Sequence, residues 1–190
     1  MRQNESIGGV MFQDLETERL LLKSISDDDL EFVYRQFSDH DVCRYLFDAD
    51  PFSARQEAKE LISFYTVPEP RNQHRWIIQT RTDSHRIGTC GFHCWNRESS
   101  RTDIGYDLAQ ASWGRGYAGQ AVREIVHFAF SVMHVTTIRA QISVDNQPSI
   151  ALAMRLGFVA EEPVDVLYHG RMHPHRYYVL RSQPDLPLSK

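Results

Sequence analysis

Cysteine is scarce: Cys43, Cys90 and Cys94 are the only three in 190 residues. They form no C-x-x-C, and an odd count leaves one thiol over whatever the pairing; a chain of this length can bury a sizeable core without metal or disulfide staples. Such usage fits a reducing compartment, and a cytoplasmic location is expected. Cys90 and Cys94 lie four apart in a run that reads as a strand, so both are expected on one face, as small buried residues. Long hydrophobic runs are also missing. The most apolar window, 125–135, carries His127, Ser131 and His134 and is too short to cross a bilayer. Residues 1–13 lack the apolar stretch of a signal peptide, so no membrane association is expected. A large excess of one charge is absent too. Twenty-one Lys+Arg against 25 Asp+Glu leave a net charge of −4 with histidine neutral. That balance excludes a general electrostatic grip on nucleic acid, and no direct nucleic-acid binding is expected. Neither internal repeats nor low-complexity tracts interrupt the chain.

What remains is an ordinary globular composition, 42% hydrophobic and 24% charged. At about 100–200 residues per domain the chain reads as one folded unit. Its expected limits are 15–181, between tails at 1–14 and 182–190. Leu20-Leu21-Leu22 predicts a short buried strand. Ser26 and three aspartates cap a helix bearing Leu30, Val33, Tyr34 and Phe37 at helical spacing. Ser53-x-x-Gln56 reads as a capping box opening a second helix with Ala58, Leu61, Ile62 and Tyr65, stopped by Pro68 and Pro70. A hairpin follows, Trp76-Ile77-Ile78 returning through Ile87 to Trp95, and then a strand from Thr102 to Leu108. A helical stripe runs from Tyr117 through Val122, Ile125, Val126, Ala129, Phe130 and Met133. Another strand spans 137–144, and a short helix, 149–156, is closed by Gly157. A final hairpin pairs 164–168 with 177–180. This order predicts an α+β fold around a central mixed, mostly antiparallel sheet.

Gly114-Arg115-Gly116-Tyr117-Ala118-Gly119 matches G-x-G-x-x-G between a strand and a helix. It admits three readings: a dinucleotide turn, a pyrophosphate cradle of another kind, or merely a tight connection. A dinucleotide turn, and with it a nicotinamide oxidoreductase, expects flanking βα units and an acidic residue about 20 positions on. The strands here form a meander, and Asp145 comes beyond the next strand.

A second constellation follows one residue after a strand: Asn146-Gln147-Pro148-Ser149, a helix, then Gly157-Phe158. Together with Trp113-Gly114-Arg115-Gly116-Tyr117-Ala118, it resembles the GNAT superfamily of acetyl-CoA-dependent N-acyltransferases. Leu15-Glu16-Thr17-Glu18-Arg19-Leu20-Leu21-Leu22 and Ile104-Gly105-Tyr106 resemble its ribosomal-protein acetyltransferase branch, the RimJ/RimL type. The resemblance implies a GNAT-type three-layer α/β/α fold and direct transfer of an acetyl group from acetyl-CoA to a primary amine. The acceptor expected first is a peptide or protein N-terminus, with small amines as the other class, and the protein is expected as monomer or homodimer.

Residue by residue, the resemblance implies that backbone amides of Gly114, Arg115, Gly116, Tyr117, Ala118 and Gly119 hold the CoA pyrophosphate. Trp113 stands where the superfamily pattern has Gln or Arg. Leu108 matches the position whose backbone pairs with pantetheine and polarises the acetyl carbonyl. Asn146 matches the contact to the pantetheine arm, and it also suits a helix N-cap. The tyrosine that reprotonates the thiolate in many members falls on Ala153. Ser149 is therefore the nearby candidate, with Tyr177 and Tyr178 in reserve. Asp103 is the candidate base, acting through water. Arg55, His93, Trp95 and Asn96 are candidates for the acceptor side. His169, His173 and His175 read as a polar strand edge or loop, or as a metal cluster, and Pro174 replaces the aspartate usual in the branch. The missing tyrosine keeps a second functional class open, a non-catalytic acyl-CoA-binding sensor module.

Overall fold

A computed structural model describes residues 12–46 and 50–182. The expected tails therefore lie almost wholly outside the described residues. The chain order is β1 (Leu15–Glu16), β2 (Leu20–Ser24), α1 (Leu30–Ser38), α2 (His40–Cys43), α3 (Arg55–Tyr65), β3 (His74–Thr80), β4 (Arg86–Asn96) and β5 (Arg101–Leu108). Then come α4 (Tyr117–Ser131), β6 (Thr137–Ser143), α5 (Gln147–Arg155), β7 (Val159–Tyr168) and β8 (Arg171–Arg181). Eight strands form one sheet in the order β1-β2-β3-β4-β5-β6-β8-β7. Every pairing is antiparallel except β5 with β6.

Alternation along the strands sends side chains into two cores. On one face Leu20, Leu22, Trp76, Phe92 and Ile104 pack with Val122, Ile125 and Phe128 of α4 and Leu152 of α5. On the other, Ile77 packs with Val33 and Phe37 of α1 and Ala58, Ile62 and Tyr65 of α3. The expected α+β class and three-layer α/β/α arrangement hold.

Local departures have local causes. The box that opens α3 uses Glu57, whose carboxylate accepts from the amides of Ser53 and Ala54 at 2.8 and 2.7 Å; Gln56 instead donates to Glu60. Cys90 is buried and Cys94 exposed. A register shift between His93 and Asn96, with Cys94 at φ 53°, breaks the two-residue alternation, so the expectation of a shared face fails. The closing hairpin is longer than predicted. Its polar residues, His173 and His175 included, continue the β8 ladder, because pairing to β6 and β7 sustains a strand that composition alone does not favour.

Candidate active site

β5 and β6 are paired only at Arg101↔Thr137, Thr102↔Ile138 and Asp103↔Arg139. Beyond Asp103, β5 stays on β4 as far as Leu108 while β6 stays on β8 as far as Ser143. The two strands diverge into a wedge. The opening leads into a cavity of about 720 Å³ lined by Tyr106 and Leu108 of β5, the 113–119 connection except Arg115, and Asn146, Ser149 and Leu152 at α5.

The glycine connection has the conformation its composition allows. Gly114 lies at φ 71° and Gly116 at φ 78°, a region that side-chain-bearing residues rarely adopt. Gly116 caps α4, whose first turn contains no acidic residue. Amides at a helix start lack intrahelical acceptors and carry the positive end of the dipole, so this rim favours an anion. Arg19, from the β1–β2 turn, adds a guanidinium stacked over the Tyr117 ring at 4.8 Å. Nothing in the motif pointed to Arg19. Arg115 is exposed and does not line the cavity.

At the opposite rim, Asn146 Oδ1 accepts the Ser149 amide at 3.2 Å, the N-cap geometry. Ala153 is buried. The Trp113 indole N–H donates to the Leu108 carbonyl at 2.8 Å, tying the end of β5 to the start of the glycine connection. The Tyr106 hydroxyl reaches the Ser149 carbonyl at 3.5 Å. Beside Leu108, Asp107 is buried; it accepts from Gln36 at 2.8 Å and Arg75 at 3.3 Å, and from the Thr89 hydroxyl. Burial pushes its carboxyl above the usual carboxylate range, against the pull of Arg75, Thr89 and Gln36.

Asp103, the expected base, is placed elsewhere. Its two oxygens accept from Arg139 Nε and an Nη, both at 2.8 Å, and it does not line the cavity. Both carboxylate oxygens are thus engaged by one guanidinium rather than turned to the cavity. Arg55 pairs with Glu31, Trp95 is buried under Arg97, and Asn96 accepts the Ser99 amide; with His93 they stand outside the cavity lining. His169 instead bonds Asp50 at 2.8 Å, and buried His175 bonds the His173 carbonyl.

The outer wall comes from α2 and the residues just after it: Asp41, Val42, Arg44, Tyr45 and Leu46. Gln110 donates to Asp41 at 2.9 Å, closing this wall against the β5–α4 connection. A four-residue helix carries no periodicity to read; the available signal was Asp39, whose side chain accepts the Asp41 and Val42 amides as N-cap.

Comparison with known proteins agrees with this geometry. Residues 19–159 match the family model described as an acetyltransferase (GNAT) domain. The uncharacterized N-acetyltransferase YoaA of Bacillus subtilis is 32% identical over 151 residues, 80% of this chain and 85% of that protein. A GNAT-family acetyltransferase from Bacillus anthracis superposes with a TM-score of 0.78 at 20% identity, covering 88% of this chain and 98% of the other. The Vibrio cholerae spermidine N-acetyltransferase, solved with CoA and spermine, superposes with a TM-score of 0.78 at 18% identity, covering 87% and 96%. The chain belongs to the GNAT family of N-acetyltransferases, enzymes whose acyl donor is acetyl-CoA.

Proposed function

We propose that the protein transfers the acetyl group of acetyl-CoA directly to the α-amine of a peptide or protein, in the manner of the RimJ/RimL branch. One observation carries the reading: the wedge between β5 and β6 opens between two helix starts, one rimmed by glycines and the other capped by asparagine. In this reading the amides of 114–119 hold the pyrophosphate, and the Leu108 backbone holds pantetheine and the acetyl carbonyl. Asn146 contacts the arm, and the Ser149 hydroxyl bonds the sulfur.

The acceptor follows from what deprotonation costs. An α-amine of pKa about 7.7–8.0 is neutralised near pH 7.4 for about 0.5 kcal/mol, whereas an amine near 10.4 costs about 4 kcal/mol. With both Asp103 oxygens engaged by Arg139, an acceptor that loses its proton to water suits the site better than one needing a strong base. Proximity supplies much of the acceleration, and no covalent enzyme intermediate is needed.

A second reading, a polyamine acceptor, is favoured by the likeness to the spermidine acetyltransferase. Thiol release from acetyl-CoA, measured with N-terminal peptides, lysine peptides and polyamines, separates the two. The peptide reading expects the highest kcat/KM on unblocked N-termini, and a preference for spermidine overturns it. Tight CoA binding with no turnover on any amine identifies a sensor module instead.

A further inference from the structure

A tyrosine of β5 reaches α5 across the cavity. Tyr106 projects from the stretch of β5 that is not paired with β6 and sets its hydroxyl against the Ser149 carbonyl in the first turn of α5. At 3.5 Å this contact lies at the outer limit of a hydrogen bond, so a largely enclosed O–H is only weakly satisfied. Catalytic hydrogen bonds are often long in the free enzyme and tighten with substrate. Among the described residues three tyrosines line the cavity, Tyr45, Tyr106 and Tyr117. Tyr117 carries Arg19 on its ring and Tyr45 follows α2 on the outer wall, which leaves Tyr106 as the phenol beside Asn146 and Ser149. Ala153 carries no hydroxyl, Tyr178 is buried in the core, and Tyr177 lies under Arg139.

We infer that Tyr106 is the proton donor to the departing thiolate. The inference rests on the acetyltransferase reading of the same cavity. The amine nitrogen forms its bond to the acetyl carbon, the carbon–sulfur bond breaks, and its electron pair leaves on sulfur, which takes the Tyr106 proton. The phenolate regains a proton from the newly acylated nitrogen through water, so one proton leaves nitrogen and one reaches sulfur. A phenol near 10 is matched to a thiol near 8.5 far better than an aliphatic hydroxyl is. Burial raises the Tyr106 pKa, against the pull of its bond to Ser149, which keeps the phenol protonated at neutral pH.

Tyr106→Phe keeps the ring and removes the proton. Its kcat with acetyl-CoA is expected to fall about 100-fold. Calorimetric affinity for acetyl-CoA and the thermal midpoint should stay within about threefold and 2 °C of the parent, as expected when one long, weak hydroxyl bond is lost. With S-acetyl-4-nitrothiophenol, whose thiolate leaves unprotonated, variant and parent should react at similar rates. Equal losses with both donors, or no loss with acetyl-CoA, overturn the assignment, and a loss confined to Ser149→Ala gives the role to that serine. If the parent acetylates no amine, the functional reading fails and the inference with it.

Discussion

Arg139 grips both carboxylate oxygens of Asp103, each at 2.8 Å, at the last paired position of β5 and β6 before the strands part. The guanidinium also stacks on Tyr177 of β8 at 4.4 Å, so one side chain ties three strands together at the apex of the active-site wedge. Asp103 is buried and Arg139 only partly so.

Removing the charge at this apex should cost stability without removing chemistry. Asp103→Asn is expected to lower unfolding free energy by about 2 kcal/mol, between the values for exposed and buried pairs. The pH profile of kcat is expected to keep its shape, because Arg139 engages both carboxylate oxygens and Asp103 stands outside the cavity lining. Denaturant titration and a pH–rate series check both halves, and disappearance of the acidic limb identifies Asp103 as the base after all.

Gly116→Val should separate donor binding from folding. The residue sits at φ 78°, and an added Cβ meets Arg19 Nη2 at 3.3 Å. A β-branched residue strains the backbone at this φ, and in the proposed reading that disturbs the amides holding the pyrophosphate. Acetyl-CoA affinity by calorimetry is expected to fall at least about tenfold, with a matching loss of ligand-induced thermal stabilisation.

Trp113 is 48% exposed, yet its indole N–H is engaged by the Leu108 carbonyl. Trp113→Phe removes that donor, and KM for acetyl-CoA should rise about fivefold, the equivalent of one hydrogen bond near 1 kcal/mol. Trp113→Gln restores a side-chain N–H and should recover much of the loss. Equal KM values for the two variants would reduce Trp113 to a packing residue.

His74 makes the fold acid-sensitive. Its ring is buried, stacks on Phe12 at 4.3 Å, and receives Arg71 at Nδ1 at 2.8 Å. Burial, with Arg71 beside it, lowers its pKa to about 3. Below about 6.5 the unfolded chain binds a proton that the folded protein refuses. The stabilisation is therefore complete above pH 6.5 and is lost as pH falls toward 3, by about 1.4 kcal/mol per unit. Urea midpoints at pH 7, 6 and 5 should fall less steeply for His74→Phe than for the parent. Parallel slopes would show that the imidazole does not contribute.

Much of this was legible in the chain. The apolar stripe of α4, the glycines at 114, 116 and 157, and the cap at Asn146 are local devices, written within a few residues of where they act. The box opening α3 is shifted by one residue from Ser53-x-x-Gln56: the N-cap is Ala54, whose side chain cannot cap, so the pattern in the chain points to Ser53 while Glu57, three residues after Ala54, supplies the carboxylate. Cys94 was misread because a bulge is decided by the partner strand, which the local pattern does not contain. The α2 wall and the place of Arg19 beside the glycine connection are not legible locally, because each reaches the site from a distant part of the chain.

The sequence alone determined the family, the donor and the two helix starts that face the cavity, because those depend on short-range motifs and backbone freedom. Tertiary structure decided which side chains meet across the wedge. Asp103 became an ion-pair partner because β6 delivers Arg139 beside it, and Tyr106 meets Ser149 although 43 positions separate them. Strand register brings such pairs together, and register belongs to the sheet as a whole rather than to any segment of it.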